Sequence, residues 1–147
     1  MNDVYRNASE LSEPEKVRQA ILLVDDRVEN LVALEAILDD GSLLLLRAQS
    51  GEEALQILLE HEVALVLLDV AMPGMDGYAL CKLFRQNAQM VDTPVIMLSG
   101  KDGFFNKIRG KMSGSTMFLS KPFQPEGLLR VVQTYCPVES RSAGASH

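Results

Sequence analysis

Residues 63–77 read VALVLLDVAMPGMDG, an apolar stretch that stops abruptly at Asp69 and then enters a proline–glycine turn signal. Its first part, Val63–Leu68, has the length of one strand and lacks the alternation of polar and apolar side chains that a half-exposed strand shows. Strands without this alternation are covered on both faces, which is typical of parallel sheets. The stretch therefore predicts a buried parallel strand that ends in a carboxylate.

Four other short apolar runs repeat this pattern. They are Ala20–Val24, Leu43–Leu46, Pro94–Leu98 and Thr116–Leu119. The segments that follow the five runs carry apolar residues at helical spacing, namely Leu31, Leu34 and Leu38; Ala54, Leu55 and Leu58; Leu80, Cys81 and Phe84; Phe105, Ile108 and Met112; and Leu128, Val132 and Tyr135. Strands that alternate with helices predict an α/β fold, a five-stranded parallel sheet with helices on both faces.

Length and composition limit the possible classes of protein. The 147 residues suit one domain, expected at 20–136, with flexible polar tails at 1–19 and 137–147. A net charge of −6 argues against a nucleic-acid-binding surface. Neither a signal peptide nor an apolar stretch of membrane-spanning length is visible, so we expect a cytoplasmic protein without membrane insertion. Cys81 and Cys136 exclude a disulfide framework and are expected to be buried thiols.

Short motifs that contain polar residues follow four of the predicted strands. They are Asp25 and Asp26 after the first, Asp69 after the third, Ser99 and Gly100 after the fourth, and Lys121 and Pro122 after the fifth. Because the carboxyl ends of parallel strands meet at one edge, we expect these side chains to lie together. Crowded carboxylates favour a bound cation such as Mg²⁺, while a lysine and a hydroxyl add donors for an anion. The set describes a phosphoryl-transfer site with an aspartate as nucleophile.

Each of these residues also has an ordinary structural interpretation when it is taken alone. Asp25 and Asp26 suit the N-terminal cap of the following helix, and Asp69 suits the start of a turn. Ser99 suits a helix cap, and Lys121 suits a solvated surface charge. Only their convergence on one edge of the sheet favours the functional interpretation.

The same residues resemble the receiver domain of two-component response regulators. The resemblance rests on Asp25-Asp26, the run LLDVAMPGMDG at 67–77, Ser99-Gly100 and Lys121-Pro122-Phe123, and it covers about residues 20–136. It implies a flavodoxin-like (βα)5 three-layer sandwich with strand order 2-1-3-4-5. It also implies a phosphorylation-controlled switch that depends on Mg²⁺ and receives its phosphoryl group from a sensor histidine kinase or a phosphotransfer protein.

The resemblance assigns the acceptor and the metal ligands. It makes Asp69 the phosphoacceptor. Asp26, Asp69 and the backbone carbonyl of Ala71 are then expected to bind Mg²⁺ directly, and Asp25 is expected to act through water or through contacts with the other ligands.

The resemblance also assigns the switch. Lys121 is expected to pair with Asp69 and then with the phosphoryl group, while Ser99, next to Gly100, turns inward onto a phosphoryl oxygen. Phe118 is expected to follow Ser99 inward, although a phenylalanine here is equally well explained as core. Pro122 is the family's proline after the lysine, often preceded by a cis bond.

The expected output is binding of a downstream protein. The binding face would comprise the fourth helix, from about Asp102 to Met112, the fifth strand within Thr116–Phe123, and the fifth helix. The leucine run at 43–46 belongs to an edge strand, where core packing is one explanation and homodimer formation is another.

Two other functions fit parts of the sequence. A Mg²⁺-dependent phosphatase with an aspartyl-phosphate intermediate is typically marked by Asp-x-Asp, but the residue two positions after Asp69 is Ala71. An interaction module that no longer takes phosphate is disfavoured because Asp26, Asp69, Ser99 and Lys121 are all present.

Overall fold

The computed structural model describes residues 18–72, 75–100, 108 and 111–137. The strands are β1 (Gln19–Val24), β2 (Leu43–Ala48), β3 (Leu65–Asp69), β4 (Ala71–Met72), β5 (Met75–Asp76), β6 (Val95–Ser99) and β7 (Met117–Ser120). The helices with defined bounds are α1 (Val28–Leu38), α2 (Gly51–Glu60), α3 (Gly77–Gln86) and α4 (Pro125–Tyr135). Residues 111–113 are also helical.

Five strands form one parallel sheet in the order β2-β1-β3-β6-β7. Counted along the chain, these strands have the order 2-1-3-4-5, which confirms the predicted topology. The short strands β4 and β5 pair with each other in antiparallel fashion just after β3. Because all pairs within the main sheet are parallel, the carboxyl ends of its strands lie along the same edge.

The central strands are buried because both faces of the sheet are covered. On β1, Ile21 and Leu23 pack into a cluster with α1 and α4, while Leu22 and Val24 pack into a cluster with α2 and α3. This arrangement gives three layers, with helices on both sides of the sheet. The continuous apolar runs of the sequence are thus explained by the burial of successive side chains on opposite faces.

The edge strand β2 carries the leucine run. Leu43 is buried, and Leu45 and Leu46 are partly buried against the clusters on opposite faces. Beyond the leucines, the guanidinium of Arg47 donates two hydrogen bonds of 2.6 Å to the carboxylate of Glu35 on α1. Core packing therefore accounts for the run, and homodimer formation through this edge stays a prediction.

Arg85 connects the end of α3 to the start of β7. Its Nε donates to the carbonyl of Gly114 at 2.8 Å, and its Nη1 donates to the carbonyls of Met90 and Thr93 at 3.0 and 2.8 Å. Gly114 has φ +97°, and a Cβ there would lie 2.7 Å from Cγ of Arg85. A glycine is required at this position both by the left-handed backbone and by the close approach of the arginine.

The apolar stripe predicted for the fourth helix is described at two of its three residues. Ile108 and Met112 are 45% and 75% exposed, whereas Ser113 is buried against α3 next to Cys81. This helix turns the hydroxyl of Ser113 toward the thiol of Cys81 and leaves Ile108 and Met112 on its exposed side. Phe105, the third residue of that stripe, lies outside the described residues.

The remaining sequence predictions divide between confirmed and untested ones. Cys81 and Cys136 are buried free thiols, as predicted. Strand β1 begins at Gln19, one residue before the expected domain boundary. Residues 1–17 and 138–147, which make up nearly all of the two expected tails, lie outside the described part. Within the described part, no helix has both the length and the apolar character that crossing a bilayer requires.

Candidate functional site

The carboxyl edge of the sheet collects the buried polar side chains. Among the described residues, the buried polar or charged ones are Asp25, Asp69, Ser99 and Ser113, and the first three follow or end β1, β3 and β6. Burying such groups costs free energy unless they have partners. Their concentration at one edge therefore marks a functional site rather than a part of the core.

Lys121 completes this edge from β7. Its Nζ lies 3.1 Å from Oδ2 of Asp69, and its backbone N–H donates to the carbonyl of Ser99 at 2.6 Å. The peptide bond between Lys121 and Pro122 is cis. The backbone bond to β6 fixes the start of the lysine side chain, so that its ammonium group reaches the carboxylate at the end of β3.

Asp25 and Asp69 form a close acidic pair. Burial, together with the neighbouring carboxylate of Asp69, raises the pKa of Asp25 to about 6 against the lowering effect of the Arg27 backbone N–H. That N–H donates to Oδ1 of Asp25 at 3.0 Å. Two carboxylates at such proximity repel each other when both are ionised, so this pair provides a place for positive charge.

Asp26 lies differently from its neighbour. It is partly exposed and lines a cavity of about 530 Å³ between the first turns of α2 and α3, together with Ser50, Leu55, Asp76 and Leu83. Its backbone carbonyl accepts a 3.2 Å hydrogen bond from Nε2 of Gln49. Within the described ranges, no three side chains of the His, Cys, Asp and Glu types are grouped as a metal site. In the structure, Asp25 thus lies next to Asp69, whereas Asp26 lines the cavity between α2 and α3.

The capping interpretation of the acidic dipeptide is not supported. Arg27 precedes the first turn of α1 and makes no capping hydrogen bond through its side chain. Side-chain caps are instead made by Ser50 at α2 and by Asp76 at α3, where Asp76 accepts from the backbone N–H of Tyr78 at 2.9 Å. The cap by Asp76 was missed in the sequence, although an aspartate directly before Gly77 is a usual start signal.

Phe118 is half-buried on β7 and packs against the cluster beneath α2 and α3. Its ring stacks on that of Tyr78, with 6.4 Å between the ring centroids and 23° between the ring planes. Sequence reasoning missed Tyr78, since an aromatic residue at the start of a helix gives no sign of its partner. Gly100 is exposed directly after Ser99, and Ala71 lies in β4 opposite Asp76.

The fold and this edge define a flavodoxin-like α/β protein with an acidic pair and a lysine at its carboxyl edge. The family model of the response regulator receiver domain matches residues 21–133. The chain therefore belongs to the response regulator receiver family, the signalling domains of two-component systems, and is similar to the chemotaxis type.

Three comparisons illustrate the likeness. Protein PilG of Pseudomonas aeruginosa is 34% identical over 117 residues, which cover 80% of this chain and 87% of PilG. Chemotaxis protein CheY4 of Vibrio cholerae is 32% identical with a TM-score of 0.75, covering 81% of this chain and 99% of CheY4.

The third comparison concerns metal. The receiver domain of the sensor histidine kinase PA1611 from Pseudomonas aeruginosa is 25% identical with a TM-score of 0.73. It covers 81% of this chain and 98% of that domain, and it holds a magnesium ion in its active site cleft. Several other curated relatives are transcriptional regulators, and the chain spans about half of their length.

Proposed function

We propose that Asp69 accepts a phosphoryl group from a sensor histidine kinase or a phosphotransfer protein. The observation that carries the proposal is the 3.1 Å ion pair between Lys121 Nζ and Asp69 Oδ2, next to the buried carboxyl of Asp25. The ammonium group of Lys121 lies within ion-pairing distance of the carboxylate that the proposal makes the nucleophile. The same ammonium group also provides donors for the oxygens of the incoming group.

The transfer is a displacement at phosphorus. A carboxylate oxygen of Asp69 attacks the phosphorus atom while the bond from phosphorus to the donor's imidazole nitrogen breaks, and the electron pair of that bond leaves with the imidazole. Negative charge spreads over the phosphoryl oxygens in the transition state. Lys121 supplies positive charge there and Ser99 supplies a hydroxyl group, both from the same edge of the sheet.

The donor set fits Mg²⁺. A hard divalent cation takes carboxylate and carbonyl oxygens together with water, and the close pair of Asp25 and Asp69 concentrates negative charge. In our proposal Asp26, Asp69 and the carbonyl of Ala71 are the direct ligands, and Asp25 acts through water. Bound Mg²⁺ would offset charge on the phosphoryl oxygens. The magnesium ion in the active site cleft of the PA1611 receiver domain supports a magnesium site at this edge, whichever residues bind it directly.

The output we propose is protein binding. Ser99, next to Gly100, would turn toward the phosphoryl group and Phe118 would follow, which changes the face that includes β7 and α4. Met112 and Met117, at 75% and 40% exposed, offer apolar contacts on this face. Much of the helix expected at Asp102–Met112 lies outside the described residues. We place this switch in the cytoplasm, where it acts on a protein partner and not as an enzyme on external substrates.

Phosphorylation is tested with acetyl phosphate and Mg²⁺. We expect the intact mass to increase by one phosphoryl group that hydroxylamine removes, because Asp69 forms an acyl phosphate. Asp69→Asn should abolish the increase, while Asp92→Asn, an exposed carboxylate in the loop before β6, should retain it. Equal labelling of Asp69→Asn and the parent would contradict the proposal. Partner binding without any labelling would instead indicate a module that does not depend on phosphate.

The metal ligands are tested by Mg²⁺ titration. We expect Asp26→Ala to weaken binding more than Asp25→Ala, since a direct ligand is lost in the first case and an indirect one in the second. Both variants should bind more weakly than the parent because each removes negative charge. A larger loss for Asp25→Ala would show that the buried pair of Asp25 and Asp69 holds the ion directly.

A further inference from the structure

The stack between Tyr78 and Phe118 connects the expected switch residue to α3. Tyr78 is 6% exposed, and Phe118 lies over it with 6.4 Å between the centroids. Aromatic pairs of this kind contribute beyond the burial of their area. In the sheet, Phe118 pairs in register with Met97 of β6, which belongs to the same buried cluster as Tyr78.

The first turn of α3 also rests on the residue that follows the phosphoacceptor. A Cβ added at Gly77 would lie 3.1 Å from Cα of Val70 and 3.3 Å from the carbonyl oxygen of Asp69. Asp76 holds this turn in place by accepting from the backbone N–H of Tyr78. A continuous set of contacts therefore runs from Asp69 through Val70 and Gly77 to Tyr78.

We propose that Tyr78 is a positioning residue that sets where Phe118 lies and that it connects Asp69 to Phe118 by a contact route that does not pass through Ser99. This inference rests on the proposed function, because Phe118 must respond to the phosphoryl group. The ring of Tyr78, and not its hydroxyl group, carries the effect. Spatial continuity alone does not establish coupling, so the test measures coupling directly.

The experiment follows the ring signals of Phe118 by NMR in protein with labelled phenylalanine rings. The chain has five phenylalanines, and Phe118→Leu identifies the signal of interest. Parent, Tyr78→Phe and Tyr78→Leu are compared with and without Mg²⁺ and beryllofluoride, a mimic of the phosphoryl group. The ring signals of Phe84, buried in the same cluster, report whether each variant keeps its fold.

We expect Tyr78→Leu to shift the equilibrium between the positions of Phe118 by about 2- to 10-fold before any ligand is added, as the loss of an aromatic pair predicts. Tyr78→Phe should retain the parent signal because it keeps the ring. An unchanged Phe118 signal in Tyr78→Leu, or an equal shift in Tyr78→Phe, would overturn the proposal. If Phe84 shows that Tyr78→Leu is misfolded, Tyr78→Met replaces it with the same expected outcome.

The contact route from Asp69 through Tyr78 to Phe118 is tested in protein that carries Ser99→Ala. We expect beryllofluoride to retain part of its effect on Phe118 in Ser99→Ala and to lose that part when Tyr78→Leu is added. Complete loss with Ser99→Ala alone would show that Ser99 carries all of the coupling and would overturn the second route. If beryllofluoride leaves the backbone signals of Asp69 in the parent unchanged, the proposed function itself fails, which is a different result from failure of the Tyr78 variants.

Discussion

The functional edge of the sheet is supplied by strands of two kinds. Strands β3 and β6, which end in Asp69 and Ser99, are buried along their whole length, whereas β7, which leads to Lys121, has only exposed or half-buried side chains. Local opening requires least free energy where few apolar contacts must be broken. The difference indicates that Asp69 is held rigidly, while Lys121 and Phe118 lie where the structure opens most easily.

The largest effect is expected when apolar side chains are truncated on β3 and on β7 and the losses of stability are compared. We expect Leu67→Ala on β3 to lower the free energy of unfolding by about 3–5 kcal/mol, because the fully buried leucine leaves a cavity. Leu119→Ala on β7 should cost less than about 2 kcal/mol, since that side chain is already partly exposed. Urea unfolding measures both variants. Equal losses would show that β7 is held as firmly as the centre of the sheet.

The next effect concerns the attachment of β7 by Arg85. We expect Arg85→Ala to cost about 2–3 kcal/mol, because partly buried carbonyls of Gly114, Met90 and Thr93 lose a shared donor. Arg85→Lys keeps the charge but lacks the planar set of donors, so it should recover only part of the loss. Hydrogen exchange should accelerate at β7 and stay unchanged at β3. Uniform acceleration would contradict local attachment.

A smaller effect is expected at Asp25, which is buried directly after β1 at the carboxyl edge of the sheet. In metal-free protein the folded state holds Asp25 with a pKa of about 6, above the value of 3.8 expected without the fold. The raised pKa means that protonated Asp25 contributes fully to the free energy of unfolding below about pH 4. This contribution is lost as the pH rises through 6. We expect Asp25→Asn to become more stable than the parent by about 1–2 kcal/mol at pH 8 and to match it near pH 4. Thermal unfolding in chelator across this range gives the difference, and a constant difference would contradict the shift.

The smallest effect lies at the opposite edge of the sheet. Glu35→Gln removes the ion pair with Arg47, which holds the pKa of Glu35 below its ordinary range. The stabilisation is present above the ordinary pKa of a glutamate and is lost as the pH falls through the lowered value. Both side chains are substantially exposed, so we expect Glu35→Gln to change Tm less than any of the other substitutions described above. The change should disappear in about 1 M salt; persistence there would indicate packing and not charge.

The fold and the principal site residues could be predicted because local sequence carries the necessary signals. Continuous apolar runs such as Leu65–Leu68 require cover on both faces, and parallel pairing then brings the strand ends together. Asp25, Asp69, Ser99 and Lys121 follow such runs, so the sequence alone predicts that they lie at one edge of the sheet. Asp26 was expected among the ligands, but which of two successive aspartates turns inward depends on the backbone after β1.

Other features could not be predicted because they depend on contacts between distant parts of the chain. The spacing of Ile108 and Met112 indicates an apolar helix face, but the same spacing describes a face against the core and a face left exposed. The stack of Tyr78 on Phe118 joins residues of α3 and β7, and no local pattern pairs them. Arg85 likewise looks like a surface arginine until the carbonyls around it are brought together.

The strand order also determines the order in which the side chains of the site come together during folding. The first three strands along the chain lie side by side in the sheet, whereas the pair of Lys121 and Asp69 closes a separation of 52 residues. Contacts of long sequence separation form late because they require large loops to close. During synthesis, we expect the acidic pair to be assembled while the lysine is still on the ribosome, so the ion pair between Lys121 and Asp69 forms only when the last strand docks.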